Sequence, residues 1–211
     1  MFGFSFDEVR DLFISFLVIS LAFSILFSEL NYSYIFEILS IVMIGVGLGF
    51  ILHELAHKLV AMHYGYWAEY KTWLPGLFIA LISSLFGFIF AAPGAVHIYG
   101  QYITDRENGI ISLSGPLTNI FLSLIFLVIG LTINGLSVGL FNPIMINSWA
   151  NIILKTCVLG FSINAFLALF NLIPLSILDG AKIFRWDPLI WLILVGIAGS
   201  LVSLSFIRYF F

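Results

Sequence analysis

The chain has 211 residues, 62% of them hydrophobic and only 9% charged, with a formal net charge of −3 and a mean hydropathy of +1.15. Soluble domains carry about 25% charged residues, so this composition excludes a fully water-facing surface and describes an integral membrane protein. With 8 Lys+Arg in all and no basic cluster, it also argues against nucleic acid as a partner, because nothing is present to neutralise a run of phosphates.

A transmembrane helix needs about 20 mostly apolar residues. On that measure the sequence predicts crossings at 12–29, 35–57, 110–133, 150–174 and 187–207. The first, in "DLFISFLVISLAFSILFSEL", is longer than a signal-peptide core of about 7–15 residues and lacks a small-x-small cleavage site, so it reads as a retained helix. The block 73–100, "WLPGLFIALISSLFGFIFAAPGAVHIYG", is of another kind. Pro75-Gly76 open it, Gly87 interrupts it and Pro93-Gly94 end its helical part. The following "GAVHIYGQYI" has the β-branched and aromatic content of an extended segment. The expectation is an all-α polytopic membrane protein of five to six transmembrane helices, with a re-entrant, strand-like segment around 73–100. No internal repeat and no appended soluble module is visible, so 1–211 reads as one membrane-embedded domain with its core at 36–185. The single cysteine, Cys157, cannot form an intramolecular disulfide and lies in an apolar run, where it reads as a small core residue.

The second predicted helix ends in "ILHELAHKLV". On a helix, His53 and His57 lie on one face about one turn apart, so two imidazole nitrogens reach one metal ion. Glu54 sits about a quarter turn round, placed to meet a metal-held water without binding the metal. A charged side chain costs roughly 3 kcal/mol at mid-membrane, and three ionisable residues close together demand compensation that a dication supplies. The competing reading is a helix end whose polar residues face lipid headgroups. Catalytic zinc takes three protein ligands and keeps a fourth position for water. The third candidate is Asp179 in "NLIPLSILDG". Pro174 ends the preceding helix and leaves Asp179 in an unwound, apolar stretch, with Gly180 permitting a tight bend. A carboxylate there is costly unless paired or bound to metal. Its competing reading is a cap on the next helix.

"HELAH" at 53–57, "GPLTN" at 115–119 and "NLIPLSILDG" at 171–180, in that order within apolar helices, resemble the site-2 protease family of intramembrane zinc metalloproteases. The likeness spans about 36–185. It implies that His53, His57 and Asp179 bind one Zn2+ per chain and that Glu54 is the general base. It also implies that Asn171 positions substrate or steadies the developing oxyanion. Gly115-Pro116 would allow close packing on the metal helix, with Asn119 either a polar buttress or an ordinary interhelical hydrogen bond. The implied substrates are transmembrane proteins within the lipid bilayer, locally unwound because an intact helix hides its carbonyls. This chain departs from the family in "DGAKIF", where two glycines and an arginine are common after the start of the motif. It departs again in 73–100, longer and more apolar than the usual short hairpin, and in having no PDZ or CBS module.

For His57 and Asp179 to share one zinc, the helices at 35–57 and 150–174 must run in the same direction, with 110–133 antiparallel to both. The block 73–100 must then begin and end on one side. Arg10, Lys58, Lys71, Arg106, Lys182 and Arg185 fall on that side, with only Lys155 and Arg208 opposite. The positive-inside rule makes it cytoplasmic, so the expected location is the cell membrane with the N-terminus and zinc site toward the cytoplasm. His63 lies off the metal face and reads as interfacial, and His97 as a hydrogen-bonded core histidine. Two further readings stand beside the protease: a non-catalytic membrane protein binding metal or haem, and an inactive protease-like scaffold. Haem would need neither Glu54 beside its ligand nor an aspartate, and no catalytic element of the motifs is missing.

Overall fold

A computed structural model of the chain describes residues 3–28, 31–90, 92–100, 102–140 and 149–208. Helix α1 (Phe6–Phe27) is capped by Ser5, whose Oγ accepts from the Glu8 amide. Helix α2 (Tyr32–Val46) continues through one π turn (Gly47–Ile51) into α3 (Leu52–His63). Strand β1 (Trp67–Thr72), helix α4 (Leu74–Leu85) and strand β2 (Gly94–Tyr99) follow, then α5 (Asp105–Leu140), α6 (Trp149–Asn171), α7 (Asp179–Trp186) and α8 (Pro188–Arg208). Among the described residues, five stretches are long and apolar enough to cross a membrane: Phe6–Phe27, Ser33–His63, Asp105–Ile133, Ile152–Asn171 and Pro188–Ser205. The protein is a polytopic helical membrane protein, as its composition requires.

Several helix ends differ from the sequence expectation, and three of them have a clear local reason. The second helix runs past 57 to His63, since no breaker intervenes before Gly65, whose φ of +85° turns the chain. Helix α5 starts at Asp105, ahead of its apolar run, because Thr104 and Glu107 form a capping box. The Glu107 amide donates to Thr104 Oγ1 at 3.2 Å and the Thr104 amide to Glu107 Oε2 at 2.9 Å. Helix α6 ends at Asn171, before Pro174.

The block 73–100 doubles back. β1 and β2 pair antiparallel from Trp67↔Tyr99 to Thr72↔Gly94, so the two ends of the block lie side by side and α4 is the tip of a hairpin. Its 12 residues give a helix about 18 Å long, too short for a hydrocarbon core of about 30 Å. Gly76 lets α4 lie against the returning chain: a Cβ there would fall 1.9 Å from the Ala92 carbonyl oxygen.

The outer edge of β1 is closed by α1. Glu8 Oε1 accepts from the Tyr70 amide and Asp11 Oδ2 from the Thr72 amide, both at 3.1 Å, which satisfies an edge that would otherwise be open to other strands. The other Glu8 oxygen pairs with Lys58, and Lys58 Nζ also donates to the Gly3 carbonyl at 3.1 Å and lies 4.2 Å over the Phe4 ring. Lys58 is therefore a buried, neutralised cation, not a free charge on one face of the membrane. Tyr70, fully buried, donates to Ser15 Oγ at 2.9 Å, and burial pushes its phenol well above the ordinary value.

Contacts between helices fix their relative directions. A Cβ on Gly45 would meet Gly160 and one on Gly49 would meet Asn164, so α2 and α6 rise together. Along α5, the Ile111 carbonyl meets His57, Asn119 meets Gly49 and Asn164, and Ser123 Oγ meets the Phe161 carbonyl. Rising numbers on α5 face falling numbers on both neighbours, so it is antiparallel to them. Ile19 and Phe23 of α1, Val42 and Val46 of α2 and Ile163 of α6 form one buried cluster. Phe126, Phe161 and Ala198 centre another, which includes Cys157 as expected.

Candidate metal centre

Helix α3 presents His53 and His57 one turn apart, with their Nε2 atoms separated by 3.1 Å. Asp179 Oδ2 lies 3.0 Å from His57 Nε2 and 3.3 Å from His53 Nε2. All three side chains are buried. Asp179 is not in an unwound stretch, however. Residues 172–178 form the turn after α6, and Asp179 is the first residue of α7. A helix start favours a carboxylate; Asp179 lies in the first turn of α7, just after Leu178 at the N-cap, and its side chain faces the two imidazoles instead of capping an amide. Gly180 makes this placement reachable: a Cβ there would fall 2.1 Å from the Leu172 carbonyl oxygen, where the end of α6 lies against the start of α7.

The outer ring nitrogens decide what the inner ones can do. His57 Nδ1 is 2.8 Å from the Ile111 carbonyl oxygen, which can only accept, so that nitrogen carries the proton. His53 Nδ1 is 2.6 Å from Asn119 Oδ1. The Asn119 amide is held in that sense because its Nδ2 donates at 3.0 Å both to the Gly49 carbonyl and to Asn164 Oδ1. Both Nε2 atoms therefore present bare lone pairs, and they face a carboxylate oxygen. Three acceptors converge with no donor between them, an arrangement that repels itself unless a cation is shared. The spacing fits zinc. Tetrahedral coordination at about 2.0–2.2 Å sets ligand atoms about 3.3–3.6 Å apart; the observed 3.0, 3.1 and 3.3 Å lie at or a few tenths of an ångström below that range, so a small outward movement of the three side chains would admit the ion. Second partners on both Nδ1 atoms are what orient imidazole ligands in metal sites.

The other Asp179 oxygen, Oδ1, lies 3.5 Å from Lys182 Nζ. Glu54 is buried in the same cleft, and its Oε2 has no hydrogen-bond partner among the described residues. A buried carboxylate oxygen without a partner is costly, and next to three cation-seeking atoms it is placed to take a proton. Asn171 lines the cleft, half-buried. Its Nδ2 gives one N–H to the Leu167 carbonyl at 3.0 Å, and the amide carries a second. The β2 strand supplies a wall through Val96 and Ile98.

Gly115 packs directly against His53 and His57, its site only 2.4–2.6 Å from the two imidazoles if a Cβ is added. Neither of the other histidines belongs to the site. His97, expected as a core residue, is exposed, since strand alternation turns it outward opposite Glu69 while Val96 and Ile98 face in. His63 is exposed at the end of α3, its ring 5.9 Å from that of Tyr64. Asn164, fully buried at the centre of the amide network, was missed from the sequence. Its signal was available: it is an amide in an apolar helix, two turns before Asn171 and so on the same face.

A model of peptidase family M50 matches residues 41–187. A protein of Methanocaldococcus jannaschii, provisionally named a zinc metalloprotease, is 44% identical over 194 residues, covering 92% of this chain and 91% of that protein. No solved structure matches the chain.

Proposed function

This chain belongs to peptidase family M50 and is an intramembrane zinc metalloprotease, and from that premise we propose that His53, His57 and Asp179 hold the zinc, Glu54 is the general base and Asn171 assists at the oxyanion. The observation that carries this assignment is the convergence of three acceptor atoms without a donor, beside the unpartnered Glu54 Oε2. Zinc bound there supplies Lewis-acid activation of a water molecule and of the scissile carbonyl. Glu54 takes a proton from the attacking water as its oxygen adds to the carbonyl carbon. When the C–N bond breaks, Glu54 returns that proton to the leaving amine nitrogen. The free N–H of Asn171 is available to the oxyanion, where a preorganised donor in a dry cleft is most effective. In this reading the whole of 1–211 is one membrane-embedded catalytic domain.

Substrates are embedded in the membrane, and the cleft wall supports a specific way of receiving them. The Tyr70 and Thr72 amides point outward to Glu8 and Asp11, so the backbones of Glu69 and Lys71 face β2. Their register partners His97 and Ala95 face back, and alternation turns the N–H and C=O groups of Val96 and Ile98 to the edge of β2 away from β1, on the side of Glu54. An unwound stretch of a transmembrane substrate would add there as a third strand.

Replacing Asp179 by Ala is expected to lower zinc content sharply, whereas His97→Ala and His63→Ala keep one equivalent, because neither ring is near the ligand atoms. Metal analysis of the purified variants checks this. Zinc lost from His97→Ala but kept by Asp179→Ala would reverse the ligand assignment.

We place the zinc side of the membrane toward the cytoplasm, on the positive charges that remain once Lys58 is paired with Glu8. Single cysteines at Lys71 and Arg106, both exposed, in a Cys157→Ser background are expected to react with an impermeant maleimide only when the cytoplasmic face is accessible. Reaction of either from the opposite face would overturn the placement.

A further inference from the structure

Helix α6 supplies no metal ligand, yet it carries a fully buried amide at its centre. Asn164 Nδ2 donates to the Gly160 carbonyl of its own helix at 2.8 Å and reaches the Gly45 carbonyl of α2 at 3.4 Å. Its Oδ1 accepts from Asn119 Nδ2 of α5 at 3.0 Å. Both of its acceptor partners are carbonyls, so the Asn164 amide can sit only one way round, with its oxygen toward Asn119. Gly49 belongs to the same arrangement. A Cβ there would lie 2.7 Å from Asn164 Oδ1, and its carbonyl, in the π turn, takes the other Asn119 N–H.

We infer that Asn164 is a positioning residue for the zinc site, acting through Asn119 to hold His53 in its metal-binding tautomer. Were the Asn119 amide reversed, its oxygen would face two acceptors, the Gly49 carbonyl and Asn164 Oδ1. Its NH2 would then face His53 Nδ1, moving the imidazole proton to Nε2 and closing that nitrogen to a metal. Gly49 supplies one of the two acceptors that forbid the reversal, and Asn164 supplies the other. An amide serving only as interhelical glue would need none of this directionality.

The inference rests on His53 being a zinc ligand, and the test separates the two. Zinc affinity of the full chain in detergent is measured by competition with a chromophoric chelator. Asn164→Leu is expected to weaken it about tenfold, at the lower end of what outer partners of metal ligands cost. Asn164→Asp, buried in its protonated form with the O–H toward the Gly160 carbonyl and the other oxygen toward Asn119, should restore most of the loss. Asn164→Thr carries the same expectation as Asn164→Leu with the fold protected, because its hydroxyl can bond back to the Gly160 carbonyl. In an Asn119→Ala background the Asn164 substitutions should cost nothing further, the non-additivity expected of residues acting in one chain. Zinc affinity unchanged in Asn164→Leu and Asn164→Thr, or losses that simply add to that of Asn119→Ala, would overturn the inference. If His53→Ala itself keeps full zinc affinity, the ligand assignment has failed and this inference with it.

Discussion

Glu54→Gln is expected to purify with one zinc per chain and to lose cleavage of transmembrane peptides by roughly a hundredfold to ten-thousandfold, the range that general acid–base catalysis supplies. The three ligand atoms lie on other side chains, and Gln has the shape of Glu, so the metal centre should be untouched. What changes is a buried carboxylate oxygen with no structural partner: Glu54 Oε2 makes no hydrogen bond among the described residues. A residue held in place only for packing would behave in the opposite way, costing stability and sparing activity. Full cleavage by Glu54→Gln, with zinc content matched to wild type, would end the general-base assignment.

The site was legible in the sequence where its geometry is local. His53, Glu54 and His57 are related by helix periodicity alone, so their mutual placement follows from five letters. Asp179 was recognisable by the cost of a carboxylate in apolar surroundings, but its setting was not. Helix α7 has 8 residues, too few for a periodic signal, and the Pro174 stop suggested unwound chain beyond it. The breakers at Pro75-Gly76, Gly87 and Pro93-Gly94 marked the fold-back, and β2 was read as extended. β1 was not read at all. Trp67–Thr72 is short, and it becomes a strand through pairing with β2 and through Glu8 and Asp11 on its other edge. The Lys58–Glu8 pair is likewise tertiary and invisible to any local pattern. Nor could the value of Asn119 be judged from its own motif. What distinguishes a ligand-orienting amide from a packing amide is which atoms its N–H groups and its oxygen meet, and those lie on the π turn, α3 and α6. The π turn at Gly47–Ile51 belongs with them: two glycines permit it, but the amides packed against it give it a purpose.

Gly115→Ala should abolish tight zinc binding while leaving the chain folded. Its Cβ would fall 2.4 Å from His57 Nε2 and 2.6 Å from His53 Nε2, closer than real side-chain contacts allow. Helix α5 cannot back away without losing the bonds that hold it there: the Ile111 carbonyl to His57 Nδ1, Asn119 to His53 and Gly49, and Ser123 to the Phe161 carbonyl. If the imidazoles rotate instead, they break the same Nδ1 contacts and turn the lone pairs away from Asp179. Either path opens the triangle, so the loss of affinity should exceed the roughly hundredfold that outer partners of ligands cost. Ala is favoured over Gly by about 1 kcal/mol inside a helix, which offsets part of the cost of the interhelical bonds lost on either path. Gly196→Ala, with open space around its Cβ, is the control and should keep zinc and activity. Circular dichroism and a chelator titration on the two variants distinguish the outcomes. Wild-type zinc affinity in Gly115→Ala would mean that α5 does not pack against the ligands as described, and that the glycine of "GPLTN" serves something other than their approach.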